Sequence, residues 1–260
     1  GLEILNATDR PGIRALIKAC GITNRLTGSD DILFRLAPRL NAAGRIGHAE
    51  TAVKLLTTDD SETAKMISRT LNHANQDRKS IEKKIFKAIV EHINLHPDLL
   101  RQSSLVLSDP GWHEGVIGIV ASKVVEKYFR PVILISTSSG IGKGSGRSIP
   151  GFDLHKGLVA CADDLEYFGG HSMAAGMTIK DENISRFRKN FEAVVRKMTT
   201  ANDFLQTILI DYELDFDEIS GDLIDELESL EPYGEGNPEP LFMARNVKVS
   251  SSKIVGGNHR

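Results

Sequence analysis

Between positions 60 and 97 apolar residues recur at threes and fours: Met66, Ile67, Leu71, Ile81, Ile85, Ile89, Val90 and Ile93. This spacing keeps one face of an α-helix apolar and predicts a single long helix stopped at Pro97. At 1.5 Å per residue it would run roughly 50 Å, which suits a rod between two bodies. Asn72, His73, Asn75, Gln76 and Asp77 interrupt the stripe near its middle. His92 and His96 stand one turn apart without the H-E-x-x-H arrangement of a zinc helix, and read as surface or packing residues.

Before this helix, residues 1–56 also read as helical. Asp9 can cap a helix with Pro11 in its first turn, Ile13, Leu16 and Ile17 form its stripe, and Gly21 takes a C′ position. A second helix opens at Ser29 or Asp30 and is ended or kinked by Pro38. After position 103 the pattern changes to short apolar runs separated by glycine turns, predicting a compact α/β unit over 103–200. Leu105-Val106-Leu107, Val132-Ile133-Leu134-Ile135 and a run near 177–179 read as strands. Helices are expected from the glycine turn at 111–115 to about Tyr128, from Asp153 to about Cys161, and over 183–198. Beyond 200, a strand (Ile208-Leu209-Ile210), an acidic loop and a helix opening near Gly221 precede a proline- and glycine-rich connection at 231–240. Residues 242–249 have strand character and open a further domain.

Composition adds three things. The 260 residues are 40% hydrophobic and 26% charged, an ordinary globular balance. No apolar run approaches a membrane span and no signal-peptide pattern is present. The two cysteines, Cys20 and Cys161, lack metal-type spacing and read as reduced thiols of a cytoplasmic protein. The net charge of −3 is unevenly spread: residues 201–260 carry 13 acidic and four basic side chains, whereas residues 1–200 carry 22 and 28. A basic body with an acidic C-terminal part fits a polyanion bound to one portion of the surface. Gly1 is not an initiator methionine and the end follows a run that has begun to look like a strand, so the sequence reads as a piece of a longer protein.

Candidate chemistry gathers in four stretches. Phe168-Gly169-Gly170-His171-Ser172-Met173-Ala174-Ala175-Gly176-Met177-Thr178 holds three glycines, two alanines and one histidine within eight positions. It reads either as a loop whose amides and imidazole meet an anion, or as a tight loop capped by a histidine. Arg39, Asn41 and Arg45 stand among small residues in Pro38-Arg39-Leu40-Asn41-Ala42-Ala43-Gly44-Arg45; they can fork a phosphate, or be solvated at a helical corner. Gly111-Trp112-His113-Glu114-Gly115 opens a helix after a strand, a usual way to present amides to an anion. Glu114 there can simply favour the helix dipole, and Trp112 is either a core anchor or a stacking surface. In Gly142-Lys143-Gly144-Ser145-Gly146-Arg147-Ser148, an extended backbone would put Ser145 and Arg147 on one face as a phosphate clamp, the alternative being a flexible glycine hairpin. The order is not that of a Walker loop.

These stretches, in this order and with Leu230-Glu231-Pro232-Tyr233-Gly234-Glu235-Gly236-Asn237-Pro238 after them, resemble the bacterial RecJ family. Its members are single-strand-specific 5′→3′ DNA exonucleases of the DHH phosphoesterase superfamily. The resemblance implies an α/β chain with a mixed sheet. Residues 1–56 would end the DHH catalytic domain, 57–98 would be a connector helix, 99–200 the DHH-associated domain, 201–240 a linking segment, and 241–260 the start of an OB-fold. It implies Mg²⁺ or Mn²⁺ in the whole enzyme, held by aspartates and a His-His pair that this sequence lacks, so that the segment alone would be inactive. It further implies that Ser145, Arg147, Arg39, Asn41, Arg45, His113, Gly169 and Gly170 bind DNA phosphate and that His171 acts at the phosphate or leaving group. Single-stranded DNA is the expected partner, with a single-strand-binding protein and a helicase beside it and DNA repair and recombination as the setting. The alternatives are a DHH-family oligonucleotide phosphoesterase and a non-catalytic nucleic-acid-binding relative.

Overall fold

The stripe at 60–97 folds as one helix, and the rest of the first 206 residues is built on it. A computed structural model describes residues 1–252. Helices α1 (Leu2–Asn6), α2 (Pro11–Ala19), α3 (Ser29–Asp31), α4 (Ala37–Ile46) and α5 (Glu50–Thr57) precede α6 (Ser61–Leu95), which is 35 residues long. The Asp60 carboxylate caps α6 by accepting from the Thr63 amide at 2.7 Å. Ala64, Ile67 and Leu71 enter one core with Leu16, Leu36, Ala43 and Leu55. Ile85, Ile89 and Ile93 enter a second, beneath a β-sheet. The helix thus joins two cores, both within the compact unit Gly1–Gln206. Met66 lies outside the stripe's core, 62% exposed.

The polar interruption of the stripe is where neighbouring helices meet α6. Asn72 Oδ1 accepts from Arg39 Nε of α4 at 2.9 Å. Buried Arg78 donates to Asn75 Oδ1 and to Glu82 Oε2, the latter at 2.6 Å. Glu82 also pairs with Lys123.

Two local expectations change. Pro38 does not end its helix: helical backbone runs over residues 29–46. A π turn at Ile32–Leu36, with the Ala37 amide bonded to Ile32 O, accommodates a residue that has no N–H to donate. Asp9 does not cap α2, whose N-cap is Arg10 without a side-chain bond; it faces Arg14 at 3.8 Å.

The sheet comprises β1 (Leu105–Asp109), β2 (Val132–Ser138), β3 (Ile141–Arg147), β4 (Tyr167–Gly170) and β5 (Ala174–Lys180), in the order β1-β2-β3-β5-β4. It is mixed: β1 and β2 are parallel and the other pairs antiparallel. α7 (Glu114–Tyr128) connects β1 to β2, α8 (Leu154–Val159) follows β3, and α9 (Ile184–Met198) follows β5. Val106, Ile133, Ile135, Met177 and Ile179 face Leu154, Phe187 and Phe191 on the α8/α9 side. Leu105, Leu107, Val132 and Leu134 face α6 and α7. β2 is thus covered on both faces, which is why it reads as an unbroken apolar run. On the α7 side, Gly176 and Tyr167 stay exposed and Gly169 and Thr178 half-buried, so that β5 and β4 remain open there. The glycine-rich stretch at 168–178 is therefore not a loop but a hairpin, closed by the His171 amide on Ala174 O at 2.8 Å.

The second unit, Thr207–Arg260, is described through residue 252. It holds α10 (Gly221–Ser229), capped by Ser220, and a parallel pair of two-residue strands, β6 (Tyr212–Glu213) and β7 (Phe242–Met243). Ile208-Leu209-Ile210 is not a strand; Ile208 and Leu209 are 70% and 82% exposed and pair with no neighbour. The strand expected over 242–249 shortens to β7. The part of the OB-fold expectation at 253–260 lies outside the described residues.

Candidate nucleic-acid interface

The open side of the sheet becomes a cavity because two helix ends close over it. The C-terminal turn of α4 meets the N-terminus of α7 in backbone contact: a Cβ on Gly115 would fall 2.0 Å from Arg45 O, so only glycine permits this approach. Arg45 Nη1 donates to Gly115 O at 3.3 Å. One turn further, a Cβ on Gly118 would lie 2.9 Å from Ser145 Oγ and 3.0 Å from Arg147 Nη2, so α7 rests directly on the polar side chains of β3. The resulting cavity, of 670 Å³, is lined by Gly44, Arg45, Glu114, Gly115, Lys143, Ser145, Tyr167, Gly169, Gly176 and Thr178 among others.

Its floor is ordered by strand register. Cross-strand neighbours share a face, so Ser145, Gly176 and Gly169 form one row across β3, β5 and β4. Lys143, Thr178 and Tyr167 form the next, with Lys143 Nζ donating to Thr178 Oγ1 at 3.0 Å. Arg147 and Ala174 form the row on the other side of Ser145. Arg147, which flanks the lining, donates from Nη1 to Ser145 Oγ at 3.2 Å and to Gly146 O at 2.7 Å, holding its guanidinium between β3 and α7. Burial, and then the charge of Arg45, pull the Arg147 guanidinium below its ordinary pKa. Neither arginine has a carboxylate partner among the described residues. Two half-buried cations that repel one another and hold no ion pair are an arrangement an anion would neutralise.

The structure thus brings Arg45, Ser145, Arg147 and Gly169 together and leaves others apart. Arg39 is tied to α6 through Asn72 and to Arg35 O. Asn41 lies one turn before Arg45 on α4 and is exposed. His113 is the N-cap of α7, its Nδ1 accepting from the Gly115 amide at 3.1 Å. Gly170 has φ +148°, and a Cβ there would lie 2.4 Å from Ala174 O, so its glycine is required by the hairpin. His171 is exposed at the hairpin turn, outside the cavity lining. Trp112 packs against the core beneath α7. Tyr167 lies outside every quoted motif, and Thr178 only ends the glycine-rich stretch; extending the alternation of β3 through its antiparallel partners puts both on the face of Ser145.

Residues 101–197 match the DHHA1 domain family and residues 210–260 the RecJ OB domain family. The chain is 37% identical over 260 residues to the single-stranded-DNA-specific exonuclease RecJ of Bacillus subtilis, covering 99% of this chain and 33% of that protein. To the Thermus thermophilus protein of the same name it is 34% identical over 259 residues, covering 100% and 37%. The crystal structure of Thermus thermophilus RecJ with Mg²⁺ superposes with a TM-score of 0.80 at 35% identity, over 93% of this chain and 37% of that one. The chain belongs to the RecJ family. It spans about a third of the length of these RecJ relatives, 33% and 37%. RecJ crystal structures carry Mg²⁺ or Mn²⁺, but the residues here do not fit such an ion. Among the described residues no three His, Cys, Asp or Glu side chains converge on one point, and Glu114 is the sole carboxylate lining the cavity. Among the described residues no helix is long and apolar enough to cross a membrane.

Proposed function

We propose that this chain supplies the DNA-binding wall of a RecJ-type, single-strand-specific 5′→3′ exonuclease, and that the hydrolytic Mg²⁺ or Mn²⁺ site belongs to residues outside this segment. The observation that carries the reading is the pair Arg45 and Arg147, neither ion-paired to a carboxylate, with Arg147 bonded to Ser145. Arg147 and Ser145 take a backbone phosphate from the sheet, and Arg45 takes it from α4. Arg39 positions α4 on α6, His113 fixes the start of α7, and Gly170 shapes the hairpin. His171 and Asn41 offer further polar groups to the strand as it leaves the cavity. In this layout 1–56 ends the DHH domain, 57–98 connects, 99–200 is the DHH-associated domain, and 201–240 leads to an OB-fold from about 241. The setting would be cytoplasmic DNA repair and recombination, with a helicase and a single-strand-binding protein presenting the strand.

The test is fluorescence anisotropy of the purified chain with single-stranded and duplex DNA across a salt series. Single-strand binding that weakens with salt, and is reduced about tenfold by Arg147→Ala through loss of a charge-assisted contact, is expected. Absence of salt-sensitive binding, or unchanged affinity in Arg147→Ala, would remove the clamp.

A further inference from the structure

We propose that Tyr167 is the platform on which a nucleobase of the bound strand stacks, next to the phosphate clamp. The proposal rests on the single-strand reading above and names a contact that reading leaves unassigned. The first support is placement. Tyr167 lines the cavity and is 73% exposed on β4, an edge strand of the sheet. Its neighbour Phe168, on the opposite face, is the residue that packs against the core. Tyr167 therefore has no burial role to explain its ring.

The second support is the floor between ring and clamp. A Cβ on Gly169 would meet nothing within 4 Å, and one on Gly176 only Gly144 O at 3.9 Å. Packing demands neither glycine, unlike Gly115 and Gly170. Together they keep the surface between Ser145 and Tyr167 clear of side chains, as the approach of a flat base requires.

The third support is reach. β5 alone separates β3 from β4, and Tyr167 stands one row along from Ser145; two strand spacings across and two residues along put the two backbones about 12 Å apart. A nucleotide with its phosphate at Ser145 and Arg147 and the length of the tyrosine side chain together cover that distance, so its base can lie over the ring. The phosphate is held by charge and the base by its π-face, which all four bases share. The contact therefore selects an unpaired base rather than a particular one; a base locked in a duplex cannot offer its face to the ring.

The experiment is a cycle between protein and strand, read by anisotropy on the 260-residue chain. The probe is a labelled oligothymidylate, alone and in copies carrying one abasic position moved along the strand. Tyr167→Ala should loosen the intact strand about tenfold, and Tyr167→Phe should leave it unchanged. At one position the abasic strand should bind wild type as weakly as Tyr167→Ala binds the intact strand, with no further loss when the two changes are combined. Arg147→Ala should loosen intact and abasic strands alike. Unchanged affinity in Tyr167→Ala, an equal loss in Tyr167→Phe, or no abasic position that removes the difference would overturn the platform, while salt-sensitive wild-type binding leaves the exonuclease reading standing. A wild-type chain with no salt-sensitive binding overturns both.

Discussion

At the residue scale the interface depends on which groups stand against a glycine. At Gly118 the nearest neighbours are the ends of Ser145 and Arg147, which can swing aside. At Gly115 the neighbour is the backbone of Arg45, which cannot move without α4. Two like substitutions should therefore part ways. Gly118→Ala should keep its stability to within about 1 kcal/mol, because alanine favours the helix while the clamp side chains give way. Its single-strand affinity should fall about fivefold as the clamp is displaced. Gly115→Ala should unfold at lower denaturant, by about 2 kcal/mol or more, as in an overpacked core. Thermal melts beside anisotropy separate the two effects; equal stability loss in both would mean that the clamp side chains are as fixed as backbone. The glycines are visible in the sequence, but what each one faces is not.

At the element scale α6 holds the fold together through its polar middle as well as its apolar stripe. Arg78 is 8% and Glu82 6% exposed, and they are bonded to one another. Glu82→Ala leaves the Arg78 charge without its carboxylate, and should cost about 3 kcal/mol in urea unfolding. A loss below about 1 kcal/mol would mean that water reaches Arg78 and solvates it. The entry to α3 holds one acid-sensitive group. Asp31 is buried and accepts from Arg25 at 2.6 and 2.7 Å and from the Gly28 amide at 3.1 Å. The bond from Arg25 leads in holding its carboxyl at about 2, against an ordinary 3.8. A carboxyl depressed on folding contributes fully above its unfolded value, and that contribution is lost as pH falls from about 3.8 through about 2. Asp31→Asn should therefore be less stable than wild type at neutral pH and lose less between pH 4 and 2; parallel melting curves over that range would exclude the linkage.

At the scale of the whole molecule, charge sets what the interface can hold. Arg45, Arg147 and Lys143 line or flank one cavity, while the acidic excess lies beyond residue 200. Three phosphate contacts on a single strand predict a log–log salt slope of about −2, and Arg147→Ala should reduce it by about 0.7. A slope near zero would mean that the cavity holds DNA by something other than its phosphates. Most of the elements were legible in the sequence because local rules decide them. The helical apolar period placed α6 and α9, short apolar runs placed β1 and β2, and Asp153 fell where it caps α8. The alternation of Ser145 and Arg147 assigned them to one face before any neighbour was known. What local rules could not decide was contact. Pro38 stays within a helix because a π turn absorbs its missing donor. The glycines at 168–178 form a hairpin because β5 supplies their partners. Arg39 turns to α6 while Arg45 turns to the start of α7, although both lie on α4. Tyr167 joins Ser145 only through two strands of register. The sequence by itself determined which residues could bind an anion, since that depends on chemical type and spacing. The tertiary structure alone decided which of them share a cavity, since that depends on the distant segments each side chain meets.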